Sequence, residues 1–169
     1  MDDNIRREML ALLPRLRRFA YGLTGSTDEG DDLVQATCER AIRHIDTWQP
    51  GTRLDSWMYR IARNTYLNAL RAKRVRADHL QNVDHGELTR VDGARAMEAH
   101  LTFAAVRDFI GRLPEEQRSI VMLVCVEGLA YREVAEILDL PVGTVTSRLA
   151  RARIALKDFA DDGAAGEGP

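Results

Sequence analysis

Residues 129–153 read LAYREVAEILDLPVGTVTSRLARAR, and the fold turns on how this stretch is read. Val134, Ala135 and Leu138 recur at helical spacing, and Asp139-Leu140-Pro141 then breaks the pattern. Proline cannot continue a helix interior, so a first short helix ends there. Gly143 and Thr144 open a second helix with Val145, Leu149, Ala152 and Leu156 on its inward stripe. Thr144, Ser147, Arg148 and Arg151 form the outward stripe. Residues 143–157 hold four basic side chains (Arg148, Arg151, Arg153, Lys157) and no acidic one. Two short helices joined by a tight turn are the layout of a helix-turn-helix. A helix with an apolar edge and a cationic, hydroxyl-bearing opposite edge suits a DNA major groove. An ordinary amphipathic hairpin with a solvated charged face would carry the same pattern.

Upstream of this stretch, Leu113-Pro114 starts a helix with Glu115 and Glu116 in its first turn, where the helix dipole favours acids. That helix is expected to end at Gly128, and Leu101, Ala105, Phe109 and Ile110 mark another before it. Residues 75–97 mix Asp, His, Gly, Asn and Arg without period, as a flexible acidic linker would. Further upstream, three helices are predicted. The first lies over 5–23, on Ile5, Met9, Leu12, Leu16, Phe19 and Leu23, with Pro14 as a place to kink or restart. The second is capped by Ser26 or Thr27, with Glu29 as capping-box partner, and uses Leu33, Val34, Thr37, Cys38, Ala41 and Ile45. The third runs from about Asp55 to Arg74, burying Trp57, Ile61, Ala62, Thr65 and Ala69. Gln49-Pro50-Gly51-Thr52 is a loop between the last two. No strand pattern occurs. The expected fold is all-α: two small helical domains joined by a flexible linker, the second holding the helix-turn-helix. The expected boundaries are 1–76, linker 77–97, 98–160, and a frayed tail 161–169.

The third helix carries chemistry of its own. Its outward edge holds Arg60, Arg63, Asn64, Leu67, Asn68, Arg71 and Arg74. Arginine supplies phosphate contacts, while the Asn amide offers both a donor and an acceptor to a base edge. Trp48, Tyr59 and Tyr66 lie near this strip in sequence, and aromatic faces beside a cationic groove are what unpaired bases need for stacking. The plainer reading puts Trp57 and Tyr66 in the core and leaves the Arg row solvated. Two nucleic-acid elements on one tether suit contact with two separated sites, since tethering makes the second contact intramolecular.

Charge distribution supports this more than total charge does. The net charge is −2, yet residues 53–76 hold seven basic side chains and one acidic, whereas 77–100 hold two basic and five acidic. Screening limits each charge to about 8–10 Å, so the local patch governs. The two cysteines, Cys38 and Cys125, sit in no metal or redox pair and are expected as reduced, buried thiols of a cytosolic protein. No apolar run approaches the roughly 20 residues that span a bilayer, and the N-terminal MDDNIRREML has no secretory core. His44, His79, His85 and His100 form no ligand spacing, and no phosphate loop or nucleophile motif is present. These features argue against an enzyme and predict no metal, cofactor, small-molecule substrate or membrane insertion.

Several motifs in order resemble the bacterial RNA polymerase sigma factors of the extracytoplasmic-function class. They are Asp32-Leu33-Val34-Gln35, residues 45–52 (IDTWQPGT), residues 57–64 (WMYRIARN), residues 113–118 (LPEEQR) and residues 141–153 (PVGTVTSRLARAR). The resemblance spans about Leu10 to Leu156, and the Gln-Pro-Gly-Thr loop is similar to the alphaproteobacterial general-stress branch. It implies a cytoplasmic factor that binds core RNA polymerase and directs promoter recognition, DNA opening and initiation in a stress or signal response. Core polymerase contacts fall on Asp32, Gln35 and Glu39. Minus-ten contacts fall on Trp48, Arg60, Arg63, Asn64, Leu67, Asn68 and Arg71, with the loop from Asp46 to Leu54 holding a flipped base. Minus-thirty-five contacts fall on Thr144, Thr146, Ser147, Arg148 and Arg151. An anti-sigma factor wedged between the domains is a further implied partner, and the linker would thread the polymerase's RNA exit path. Thr146, Ala150 and Leu54 depart from the commoner residues of the family.

Two other readings compete. A stand-alone two-domain helix-turn-helix regulator would need a receiver or ligand pocket in the first half, which an Arg-rich helical segment with Trp48 and Trp57 does not suggest. An anti-sigma or adaptor protein that mimics a sigma domain would not need an Arg-rich recognition face.

Overall fold

The computed structural model describes residues 2–79 and 103–165, and all regular elements among them are helical. The first half contains α1 (Asp3–Thr24), α2 (Thr27–Arg43), a 3-10 turn (Ile45–Thr47) and α3 (Leu54–His79). The second contains α4 (Phe103–Arg112), α5 (Glu115–Val121), a π-helical turn (Met122–Val126), α6 (Tyr131–Leu138) and α7 (Val142–Ala165).

Local chemistry accounts for most of these bounds. The Asp2 carboxylate accepts the Asn4 N–H at 3.4 Å and caps α1, which runs through Pro14 without restarting. Gly25, at φ 72°, ends α1 in the left-handed conformation that glycine adopts at no steric cost. Ser26 Oγ accepts the Glu29 N–H at 3.4 Å, so the predicted Ser26 cap forms. Gly30 allows α2 to lie close on α1, since a Cβ there would sit 2.1 Å from the Tyr21 ring.

α1, α2 and α3 pack around Leu16, Phe19, Leu23, Leu33, Thr37, Ala41, Leu54, Met58 and Tyr59. Phe19 meets Tyr59 edge-on, with ring centroids 5.1 Å apart. The buried face of α3 differs from the expected one. Met58, Tyr59 and Tyr66 are buried beside Ala62 and Thr65, while Trp57 and Ile61 are half-buried and Ala69 is exposed. Two helices cover α3 at once, which widens its buried arc and draws both tyrosines inward. Stacking on Tyr59 or Tyr66 is therefore excluded in this arrangement. α3 also runs to His79, into the stretch read as linker, and the expected linker residues from 80 onward lie outside the described residues.

In the second half the helix expected to end at Gly128 gives way to a π turn at Met122–Val126. The Glu127 N–H bonds the Met122 carbonyl at 2.9 Å, five residues back, and Gly128 follows at φ 70°. α6 ends at Leu138 with Asp139 in the left-handed region, φ 53°, a conformation Asp tolerates better than most residues. The Leu140 N–H returns to the Ala135 carbonyl at 3.0 Å and closes the turn. Val134, Ile137, Leu138, Val145 and Leu149 are buried between α6 and α7 as the helix-turn-helix requires. Phe109, Leu113 and Ala152 form a satellite core with Phe159, whose ring centroid is 5.6 Å from that of Phe109. The α7 backbone stays helical to Ala165, so part of the tail expected to fray is ordered.

The two halves share one continuous core, in which Ile120, Met122 and Leu123 join the residues of α1 and α3. Gly22 permits the contact, since a Cβ there would lie 2.3 Å from Met122 Sδ. Both cysteines are free, but only Cys38 is half-buried and Cys125 is exposed, contrary to the expectation of two buried thiols.

Candidate nucleic-acid interface

The recognition helix of the helix-turn-helix is the N-terminal part of α7. Val145, Leu149 and Ala152 are 0%, 1% and 2% exposed, which fixes the rotation of the helix and sends the opposite edge outward. Thr146, Ser147 and Arg151 are exposed, and Thr144 and Arg148 are half-buried. Thr146 Oγ1 donates to the Val142 carbonyl at 3.0 Å, and Ser147 Oγ donates to the Thr144 carbonyl at 3.1 Å. Both hydroxyls thus bond their own helix, leaving their acceptor lone pairs for a ligand. Arg148 Nη2 lies 2.8 Å from Glu116 Oε2, which aims the guanidinium along the helix surface. In the sequence Glu116 stands out only as a helix-dipole acid. Its role as partner of Arg148 crosses 32 positions and leaves no periodic signal.

On α3 the expected strip is present but turned towards the second half. Arg60, Asn64, Asn68 and Arg71 are exposed, and Arg63 and Leu67 are half-buried. These six line a cleft of about 660 Å³ whose other wall is Glu136, Ile137, Leu138 and Asp139. Arg60 Nη2 donates to the Glu136 carbonyl at 2.6 Å. Arg63 Nε lies 3.7 Å from Glu115 Oε1, buried and without a hydrogen bond. Trp48 is half-buried, and its indole N–H is buried without an acceptor. The loop behind it is held by short local bonds, Thr47 Oγ1 to the His44 carbonyl and Thr52 Oγ1 to the Gln49 carbonyl, both at 2.7 Å. On α2, Asp32, Gln35 and Glu39 are all exposed on one face, with Gln35 donating to Glu39 at 3.1 Å.

Among the described residues no cluster of His, Cys, Asp and Glu could hold a metal ion, and no helix is long and apolar enough to cross a membrane.

The family models for Sigma-70 region 2 and Sigma-70 region 4 match residues 9–76 and 103–156. The ECF RNA polymerase sigma factor EcfG of Rhodopseudomonas palustris (strain TIE-1) is 36% identical over 170 residues, covering 100% of this chain and 92% of that protein. The chain belongs to the ECF RNA polymerase sigma factors. A sigma factor is a DNA-binding initiation factor rather than an enzyme, and it directs promoter recognition and transcription initiation. The SigE sigma factor of Mycolicibacterium smegmatis is 34% identical over 148 residues, covering 86% of this chain and 57% of that one. Among solved structures, the sigma factor RpoE of Bartonella quintana, crystallised with the anti-sigma factor NepR, matches with a TM-score of 0.82 at 28% identity. That match covers 95% of this chain and 98% of the other, so it extends over both halves at once.

The residues missed in the sequence lie where the halves of this ECF sigma factor meet. The Glu127 carboxylate accepts from Arg15 Nε at 3.0 Å, from Arg18 Nε and Nη2 at 2.8 and 3.1 Å, and from the Tyr59 hydroxyl at 2.8 Å. Burial alone would raise the Glu127 pKa, but the bonds from Arg18, Tyr59 and Arg15 outweigh it and hold the carboxyl below the usual range. Burial also raises the Tyr59 pKa, helped by its bond to Glu127, so the phenol stays protonated and donating. Arg118 bonds the carbonyls of Ile110, Gly111 and Leu113 within its own half, and reaches the Leu23 carbonyl at 2.7 Å in the other. Arg53 pairs with Asp55 at 2.6 Å and also with Glu133. An isolated Glu or Arg gives no warning of its partners in the other half, because those are distant in sequence.

Proposed function

We propose that the two halves of this sigma factor divide promoter recognition between them. The first half, residues 1–76, engages core RNA polymerase through Asp32, Gln35 and Glu39 and reads the minus-ten element through Trp48, Arg60, Arg63, Asn64, Leu67, Asn68 and Arg71. The second, residues 98–160, reads the minus-thirty-five element through Thr144, Thr146, Ser147, Arg148 and Arg151. One observation carries the second assignment best. Burial of Val145, Leu149 and Ala152 leaves an uninterrupted hydroxyl and Arg edge, with no acidic residue between 143 and 157. The first assignment is supported by the concentration of Arg60, Arg63, Asn64, Asn68 and Arg71 along one cleft wall.

The factor works in the cytoplasm with the polymerase and answers a stress or similar signal, as the likeness to EcfG and SigE suggests. Its release is controlled by an anti-sigma factor, a reading supported by the whole-chain likeness to the NepR-bound Bartonella protein. The test is run-off transcription with purified core polymerase on a pooled promoter library. Enrichment of a two-part promoter sequence is expected. Absence of any promoter-dependent product, with tight duplex binding by the protein alone, would favour a stand-alone regulator instead.

A further inference from the structure

Four side chains of α7 spaced four apart, Val142, Thr146, Ala150 and Ile154, are all exposed. Residues at that spacing form one ridge along a helix surface. Five large apolar side chains are exposed among the described residues, and two of them, Val142 at 41% and Ile154 at 62%, stand at the ends of this ridge. Between them the ridge narrows to the small groups of Thr146 and Ala150. Arg148, Arg151, Arg153 and Lys157 flank it, and no acidic residue lies between 143 and 157. An apolar ridge in so cationic a setting suits a polyanion that carries apolar groups of its own, rather than an apolar protein face.

The Thr146 side chain is oriented by its own helix. Its hydroxyl donates to the Val142 carbonyl at 3.0 Å, so towards a base edge it presents a methyl and a spare lone pair but no donor. The major-groove acceptors are guanine O6 and N7, adenine N7 and thymine O4, and all of them need a donor. The lone pair suits an amino hydrogen of cytosine or adenine. Ala150, one turn on, has no polar atom and meets such an amino group with apolar surface only. What matches both side chains at once is the C5-methyl of thymine, the apolar group that a base pair presents in that groove.

We propose that Thr146 and Ala150 are specificity-determining residues: their methyls, one helical turn apart, seat the C5-methyl of a thymine in the minus-thirty-five element. The seat rests on the assignment of that element to α7 above, and it adds the base preferred at this step. Arg148 and Arg151 then carry hydrogen bonds to bases and phosphates, while the ridge separates thymine from the other three bases. Burial of one methyl corresponds to roughly a fourfold change in affinity.

The test assembles the full chain with core RNA polymerase and titrates the complex onto duplexes carrying the promoter enriched from the library. Each thymine of the minus-thirty-five element, on either strand, is replaced in turn by deoxyuridine. That change removes the C5-methyl and leaves base pairing, charge and the protein untouched. At one thymine it is expected to weaken wild-type binding roughly fourfold. Thr146→Ser keeps the hydroxyl and loses the methyl, so T146S is expected to bind the thymine duplex roughly fourfold more weakly and not to distinguish it from the deoxyuridine duplex. Thr146→Val keeps a methyl and removes the hydroxyl, and is expected to retain the wild-type preference. Ala150→Gln fills the seat with a polar chain and is expected to lose that preference. Deoxyuridine without effect at every thymine would overturn the seat, as would an enriched element without thymine. So would an equal deoxyuridine effect in wild type and T146S, or loss of the preference in T146V. Failure to enrich any two-part promoter would instead overturn the promoter-reading assignment, an outcome visible before any deoxyuridine duplex is made.

Discussion

Replacing Arg148 with Ala tests the recognition helix most directly. Arg148 is 23% exposed and is held 2.8 Å from Glu116, itself 59% exposed. An ion pair with so open a partner is worth at most about 1 kcal/mol, so DNA can take the guanidinium from it at little cost. A side chain that bonds a base edge contributes about 1–3 kcal/mol of discrimination. R148A should therefore weaken binding of the selected minus-thirty-five duplex by roughly 5- to 150-fold. The loss should be confined to duplexes carrying the preferred base, and the slope of log affinity against log salt should stay unchanged. A phosphate contact would instead reduce that slope by about 0.9 and weaken all sequences alike. Glu116→Gln removes a carboxylate that competes with DNA, so it should tighten binding by up to about fivefold in the wild type. It should do nothing once Arg148 is absent, because the two side chains act as one coupled pair. Fluorescence anisotropy with matched and mismatched duplexes at several salt concentrations reads all of these. A change of less than twofold for R148A would refute the reasoning, and so would an equal E116Q effect in both backgrounds.

Other outcomes follow from the same structure. Asn64→Ala should reduce recognition of a single-stranded minus-ten oligonucleotide roughly tenfold and leave duplex minus-thirty-five binding unchanged, read by separate titrations. Leu149→Ala, at a position 1% exposed, should cost about 2–5 kcal/mol of stability with little change in the urea m-value. The Glu127 carboxyl is held below its usual range, so its stabilisation is complete above that range and is lost as pH falls through the lowered value. Scattering should therefore show the two halves packed together from neutral pH down through the ordinary carboxylate range and parting only at more acid pH. Thiol labelling in native buffer should modify exposed Cys125 well before Cys38, whose thiol is half-buried and pushed up in pKa by burial.

The helix-turn-helix was legible in sequence because its stripes obey the 3.6-residue period and its turn is punctuated by Asp139 and Pro141. Ser26 and Glu29 announced the second cap in the same local way. The rotation of α3 was not legible. Trp57 and Tyr59 compete for burial, and the choice falls to Phe19 and Glu127, which lie 40 and 68 positions from Tyr59. The surroundings of the outward strip of α3 were hidden for the same reason. Its residues lie in a row along one cleft wall, but the wall opposite comes from Glu136 to Asp139, and only tertiary packing brings that wall near. The exposure of Cys125 leaves no sequence signal, because it falls on the outer side of a turn whose period is not that of an α-helix.

That turn has a consequence for engineering. A π turn holds about one residue more than the α-helical turn it replaces, and it works as a phase setting between α5 and everything after it. Deleting one of the residues Met122–Val126 would leave the phase of Glu127 nearly unchanged, whereas winding the same five residues as α-helix would carry Glu127 about 100° further around the helix axis. The Arg15–Arg18 socket would lose its occupant while α6 and α7, which pack on each other, kept their own geometry. Substitutions within the turn that favour α-helical winding would thus uncouple the two halves of the molecule with no change of side chain on the outward edges of α3 and α7.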